Sequence, residues 1–349
     1  MKPLVSLRDI AREAGVHYTT VSLALRNDLR LPIDTRERIQ QVAARLGYHS
    51  NPLVSSLISN MKRARLPPEL GVLGFLDTLS RPTGPFRRSP EGHPFYEGAR
   101  RRANELGYRM DLFQLRSTAM TSRRMASILK TRAIRGLIID SHLFPRGHLS
   151  MDVSHFACVM RGYSNLLPKL HRVSHNHFQG VLCAIHSLRH LGYRRMGLVL
   201  DEKVDMLVNS QWTAGFLIYQ RRVPASQRIP IHLSRKLSPE KIKQWIKRHR
   251  PDVILGMQYI LPSITESGLA VPTDVGFANL DLDASADKGQ AGVWQHMDKL
   301  GSTAVDSVTA QMQRNERGLP DYPKLTLVEG VWRDGPTVCM QPRQATTSR

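Results

Sequence analysis

Cysteine is scarce in this 349-residue chain, which has three: Cys158, Cys183 and Cys339. An odd number with no metal-type spacing speaks against a disulfide framework and fits reduced thiols in a cytosolic protein. Long apolar runs are missing as well. No stretch is long enough to span a bilayer, and Met1-Lys2-Pro3-Leu4 lacks the apolar run of a signal peptide. There is no G-x-S-x-G elbow, phosphate-cradling glycine loop or dinucleotide fingerprint, so no familiar catalytic device is on offer. Asp/Glu pairs occur, but nothing places them across a substrate. Acid is the last shortage: 29 Asp and Glu face 50 Lys and Arg, a formal net charge of +21. That balance suits a polyanionic partner. Residues 1–65 hold eleven Lys and Arg against five Asp and Glu, so the excess continues beyond them, in runs such as Arg100-Arg101-Arg102, Arg194-Arg195 and Arg221-Arg222. Such runs are usually solvated faces. They can raise nonspecific DNA affinity, which falls steeply with salt.

What is present starts at Ser6. Ser6 and Asp9 have capping-box spacing, which predicts a helix from Leu7 with Ile10, Ala11 and Ala14 on one face. Gly15 ends that helix where a left-handed residue is needed, and Val16 tucks into the turn. Val21 and Leu25 give a second helix its buried stripe, behind a polar start at Tyr18-Thr19-Thr20. Asp34 and Glu37 repeat the capping-box spacing and predict a third helix on Ile39, Val42, Ala43 and Leu46, stopped by Gly47. Any small three-helix bundle shares such periodicity. The tight turn, the small crossing residue Ala11 and the polar helix start together favour a helix-turn-helix unit facing a major groove. Asn51-Pro52 then opens a short segment with Leu53, Val54, Leu57 and Ile58 on one face. Three turns at most are too few to be stable alone, so this helix must fold against a symmetry mate, a minor groove, or both.

Residues 63–70, with Pro67-Pro68, read as a linker. Beyond it apolar runs at 72–76, 108–113, 136–140, 156–160, 196–200, 253–255 and 275–277 alternate with helical stretches at 95–106, 180–191 and 239–248. This order predicts parallel sheets covered by helices on both faces, and nearly 280 residues suit two lobes better than one. Ligands of such folds bind at the carboxyl ends of the strands, between lobes. His171, His175, His177, His186 and His190 form the one dense histidine cluster in the sequence. His186 and His190 have the i,i+4 spacing a metal can use, but no carboxylate lies between them, so no metal or other cofactor is expected.

The stretch from Leu7-Arg8-Asp9-Ile10-Ala11 through Val21-Ser22, then Thr35-Arg36-Glu37-Arg38-Ile39, Leu46-Gly47-Tyr48 and Asn51-Pro52, resembles the LacI/GalR family of bacterial transcription regulators without gaps. The resemblance continues more weakly through Phe95-Tyr96-Glu97-Gly98-Ala99, Arg135-Gly136-Leu137-Ile138, Leu191-Gly192-Tyr193, Pro272-Thr273-Asp274-Val275-Gly276-Phe277 and Trp294-Gln295. It implies an α+α/β architecture: a headpiece at 1–50, a hinge helix at 51–62, the linker, and a two-lobed body at 71–340 similar to periplasmic sugar-binding proteins. Lobe N would take about 71–171 and 298–325, lobe C about 172–297 and 326–340, and 341–349 would be a disordered tail.

The family implies a homodimer, with a tetramer left open, on a pseudo-palindromic operator in double-stranded DNA. Tyr18 and Thr19 would read base edges and Leu57 would wedge into the central minor-groove step. Leu23 stands where many members carry a guanine-contacting arginine, and could touch a thymine methyl instead. His17 replaces the usual serine at the recognition-helix cap and could meet a phosphate when protonated. Ser6, Thr20, Ser22, Thr35, Tyr48 and Asn51 are phosphate or positioning candidates, and equally caps or core residues. In the effector cleft Trp212 replaces an arginine that many members use to hold ligand, Gln258 lies near the usual Asn-Asp pair, and His175 stands where aspartate is common. By position, Asp77, His142, Arg161, Trp212, Gln258, Asp281 and Trp294 are the candidate lining.

Three readings follow. The first is a cytoplasmic, nucleoid-associated regulator, a repressor rather than an enzyme, whose small-molecule effector, a sugar for instance, shifts the lobe angle and with it the order of the hinge. In the second the body is only a dimerisation scaffold for a DNA-bound regulator or architectural protein, a reading motivated by the substituted pocket. The third, a solute-binding protein or enzyme with an incidental headpiece, has the missing signal peptide and catalytic motifs against it. No membrane partner is expected.

Overall fold

Ser6 closes the first helix as its spacing predicts. Its hydroxyl accepts from the Asp9 N–H while the Asp9 carboxylate accepts from the Ser6 N–H at 2.9 Å, and α1 runs Leu7–Ala14. Gly15 follows at φ +66°, a left-handed conformation open to glycine, and with Val16 and His17 turns the chain within three residues into α2, Tyr18–Leu25. The third helix, α3, spans Ile33–Arg45. Its start corrects the capping expectation: Pro32 occupies the cap and Asp34 lies inside the first turn, with no side-chain cap bond. Proline's fixed φ delivers extended backbone straight into the helix, and the Asp34 carboxylate there still complements the helix dipole. Ile10, Ala11, Ala14, Val21, Ala24, Ile39 and Ala43 are buried together, with Val16, Leu25, Val42 and Leu46 packed at the margin. Ala24, rather than Leu25, thus shares the centre with Val21.

This computed structural model describes residues 5–25, 27–28, 30–48, 71–78, 93–115, 120–140, 147–282 and 289–342. The expected hinge helix with Leu57, the linker, Asn51, His142 and residues 343–349 of the expected tail lie outside the described residues.

The body begins with β1 (Gly71–Asp77), α4 (Pro94–Glu105), β2 (Tyr108–Gln114), α5 (Ser122–Thr131) and β3 (Gly136–Ile139). After these come β4 (Gly147–His148), β5 (Ala157–Arg161), β6 (Asn165–Leu167) and β7 (His171–His175). The chain continues through α6 (His177–His190), β8 (Met196–Asp201), α7 (Glu202–Leu207), α8 (Gln211–Arg221), β9 (His232–Ser234) and α9 (Pro239–His249). It ends with β10 (Val253–Gly256), α10 (Leu261–Thr265), β11 (Gly276–Leu282), β12 (Gly292–Trp294), α11 (Met297–Arg314), β13 (Leu325–Val328) and β14 (Val331–Arg333). All seven apolar runs singled out in the sequence are strands. The last is longer than its run because Asn279 and Leu282 also pair with β12.

Two six-stranded sheets form, ordered β13-β7-β5-β3-β1-β2 and β14-β12-β11-β10-β8-β9. The first is wholly parallel, and in the second β14 alone is antiparallel. Apolar clusters cover both faces of each, as continuous apolar strands require. On the first sheet α4 crosses α11 so closely that a Cβ on Gly98 would lie 2.0 Å from the Asp298 carbonyl oxygen, and one on Gly301 would lie 2.1 Å from that of Phe95. The first sheet keeps β7 through His175 and β13 through Val328, a few residues past the expected lobe crossings, because parallel pairing to β5 and β7 claims them. The chain passes between the sheets at Asn176, at 295–296 and at 329–330, and the Asn176 amide donates to Glu329 at 2.9 Å, tying two crossings together. Among the described residues no helix is long and apolar enough to cross a membrane.

Candidate nucleic-acid interface and interlobe cleft

Two surfaces carry the chemistry. On the headpiece, the backbone carbonyl of His17 accepts from Thr20 at 2.9 Å and from Val21 at 3.3 Å, so His17 starts α2. Its Nδ1 lies 2.8 Å from the Thr19 hydroxyl, and its ring is 4.6 Å from that of Tyr18. Tyr18 is 50% exposed and Thr19 is also exposed. His17 therefore braces the two side chains that a groove would meet first. Thr20, Ser22, Leu23 and Thr35 are half-buried, and Tyr48 packs on the headpiece core. Ser6 is spent on its cap: its hydroxyl donates to Asp9 at 2.6 Å, and these bonds hold the Asp9 carboxyl below its ordinary pKa. Sequence reasoning missed two braces from α3. Arg38 donates to the Ala14 carbonyl and Gln40 to the Ala24 carbonyl, each at 3.0 Å, capping the ends of α1 and α2. Both are long polar residues on a polar helix face, with nothing local to mark a partner.

Between the sheets lies a cavity of about 370 Å³, within the range of small-molecule sites. The first-sheet side supplies Arg161, Gly162, Tyr163, Ser164, Ser174 and His175. The second supplies His177, Asp201, Lys203, Val204, Leu207, Val208, Trp212, Met257 and Asp281, while Met297 and Leu300 close it from α11. Of the candidates from sequence, Arg161, Trp212 and Asp281 line this space, as does His175. Asp77 is buried but is not part of the wall, and Gln258 is exposed while its neighbour Met257 lines the cavity. Trp294 is also outside: its indole N–H donates to His296 at 3.0 Å and Arg333 stacks over its ring at 3.5 Å.

The wall is held from behind. Arg161 donates from Nε to Asp140 at 2.5 Å and lies over the Phe95 ring at 5.0 Å, which fixes the guanidinium plane. Asp201 caps α7 by accepting the Lys203 N–H at 2.7 Å. His177 packs edge-on against Trp212 at 5.1 Å and against His175 at 5.7 Å. Burial lowers the pKa of His177 to about 3 and, helped by the charge of Arg161, pushes that of His175 well below its usual value. Both rings are neutral at physiological pH. Among the described residues, Tyr163 Oη, Ser164 Oγ, His175 Nε2, His177 Nδ1 and Trp212 Nε1 are buried without a hydrogen-bond partner.

Elsewhere His186 and His190 bond to each other, Nε2 to Nε2 at 2.9 Å, on the exposed side of α6. Among the described residues no group of three potential ligands could hold a metal. The cysteines are free, and burial pushes the Cys158 thiol up.

A helix-turn-helix module on a two-lobed, cleft-bearing α/β body defines the class. Residues 6–51 match the family described as "Bacterial regulatory proteins, lacI family", so the chain carries a LacI-family helix-turn-helix domain. The HTH-type transcriptional regulator GalS of Salmonella typhimurium is 36% identical over 58 residues, and the chain covers 17% of that relative's length, as the match covers 17% of this chain. The structure of the lac repressor dimer bound to operator and the anti-inducer ONPF aligns with a TM-score of 0.53 at 19% identity, over 97% of this chain and 100% of that one. A complex of the transcriptional regulator CelR with cellobiose aligns with 0.54 at 16% identity, over 95% and 99%. The body therefore has the fold of these structures.

Proposed function

We propose that this protein is a sequence-specific DNA-binding transcriptional regulator, a repressor that acts as a homodimer on a pseudo-palindromic operator and answers to a small molecule in the interlobe cleft. The observation that carries this reading is the exposed pair Tyr18 and Thr19 at the start of α2, braced by His17, inside the stretch that matches the family. Base contacts come from Tyr18, Thr19 and Leu23, with Leu57 as the wedge. Ser6, His17, Thr20, Ser22, Thr35, Tyr48 and Asn51 position the backbone. The division into headpiece, hinge, linker and lobes belongs to the same reading, as do a cytoplasmic place on the nucleoid and the lack of catalytic activity. GalS is named a transcriptional regulator, the lac repressor structure includes operator DNA, and the CelR structure includes a sugar.

Effector control follows from linkage: a ligand that prefers one lobe angle shifts the population of the form able to order the hinge. Substituting Thr19 by alanine should relax base preference at one operator position, by about 1–3 kcal/mol for a lost contact. An equal loss on every duplex would make Thr19 a phosphate contact instead. A second reading, in which the body is only a dimerisation scaffold, draws support from Trp212 at the position where many family members hold ligand with arginine. Operator affinity that no small molecule changes would favour that second reading.

A further inference from the structure

The cleft has a polarity that narrows its ligand, given the reading above that a small molecule binds there. Its two lining carboxylates, Asp201 and Asp281, both stand on the second-sheet side, Asp201 accepting the Lys203 N–H at 2.7 Å, while Asp140 lies behind the wall and holds Arg161. Each hydroxyl of a free sugar brings a proton that needs an acceptor, and among the described residues no carboxylate lines the first-sheet side. Donors are in surplus. Arg161 keeps N–H groups beyond those given to Asp140 and the Met297 sulfur, and among the described residues the Tyr163 and Ser164 hydroxyls, the His175 Nε2 and, across the cleft, the Trp212 indole N–H are buried with no partner. The second-sheet side carries charges at Asp201, Lys203 and Asp281 and, beside them, an apolar patch of Val204, Leu207, Val208, Trp212 and Met257. One wall thus offers hydrogen to acceptor oxygens, and the opposite wall offers a patch of hydrocarbon and an indole beside its charges.

We propose that the effector is an amphiphilic organic acid whose carboxylate meets Arg161 and Ser164 and whose compact aromatic or branched body lies against Trp212, Leu207 and Val208. A carboxylate is acceptor-only, so it uses the surplus donors without demanding an acceptor in return. Arg161 suits it because Asp140 and Phe95 already hold the guanidinium plane, leaving little entropy to lose on binding. The apolar patch explains why Trp212 is acceptable at its position, with Arg161 and Lys203 as the cleft's cations. It faces the body of the ligand, not its charge.

Calorimetry and thermal-shift titration of the full chain with 3-phenylpropionate, the matched alcohol 3-phenylpropan-1-ol, and cellobiose test this. The acid should bind at least about tenfold more tightly than the alcohol, the effect of one charge-assisted contact, and cellobiose should not bind. Ser164→Ala and Arg161→Lys should each weaken the acid while leaving the alcohol unchanged. The second variant keeps a cation for Asp140 in case loss of charge unfolds the lobe. Equal binding of acid and alcohol, binding of cellobiose alone, or no binding by any of the three overturns the proposal. Operator binding measured on the same preparations separates the outcomes: DNA recognition without acid binding sinks the ligand class alone, and loss of DNA recognition sinks the regulator reading.

Discussion

The headpiece and the cleft are built from opposite kinds of information. In the headpiece each decision is local: a cap three residues from its partner, a glycine at positive φ, an apolar face repeating over two turns. In the cleft no two walls come from one element. Arg161 ends β5, His175 ends β7, Asp201 ends β8 and Trp212 opens α8, and they meet only because two sheets present the carboxyl ends of their strands to a shared space. Local rules make a module with an apolar core of its own and a braced edge. Long-range assembly makes a space whose shape depends on how the lobes sit, which is where a ligand can exert control.

This contrast implies that the two regions fail separately. The largest expected effect is Asp140→Ala, which leaves the half-buried Arg161 cation without its partner. It should cost the body about 3–5 kcal/mol in denaturant unfolding while the headpiece transition stays in place. Ile39→Ala should cost about 2–5 kcal/mol by opening a cavity in the seven-residue headpiece core. It should abolish DNA binding and leave ligand titration of the cleft intact. If both substitutions shifted a single transition, the independence of the two regions would be lost. Below pH about 6.5 the unfolded chain protonates at the histidine that the folded chain keeps neutral as His177 down to about 3. Stability of the body should therefore be fully present above that pH and fall on acidification, by up to about 1.4 kcal/mol per pH unit. His175 acts in the same direction, and His177→Phe should flatten the slope. A slope unchanged by that substitution would show that His177 is not held neutral. Smallest is Ser6→Ala, which removes the α1 cap for about 1 kcal/mol, read as a headpiece-only loss of thermal stability.

The same contrast governs what could be read ahead of the structure. Helices α1 and α2 were legible because their caps and turn lie within the segment that they organise, and the seven strands because an apolar run bounded by turns has few other uses. The start of α3 was misread because Asp34 and Glu37 satisfy the spacing of a cap, yet Pro32 had already set the backbone. In the cleft, Arg161, His175, Trp212 and Asp281 came from family position. Gln258 missed by one residue because β10 ends at Gly256 and it is Met257 that faces inward. Trp294 missed because Arg333, far along the chain on β14, covers its ring. Tyr163, Ser164 and Lys203 gave no signal, for a hydroxyl on a loop or an ammonium on a short helix reads as ordinary surface until the two sheets face each other.

The central claim is that a braced recognition helix, presented twice, reads DNA sequence. Selection of duplexes from a random pool by the full-length protein, at several ionic strengths, measures this directly. Enrichment of two related half-sites in inverted order is the predicted result, with the motif blurred at one position by Thr19→Ala. A pool that stays random at every salt concentration would contradict the account.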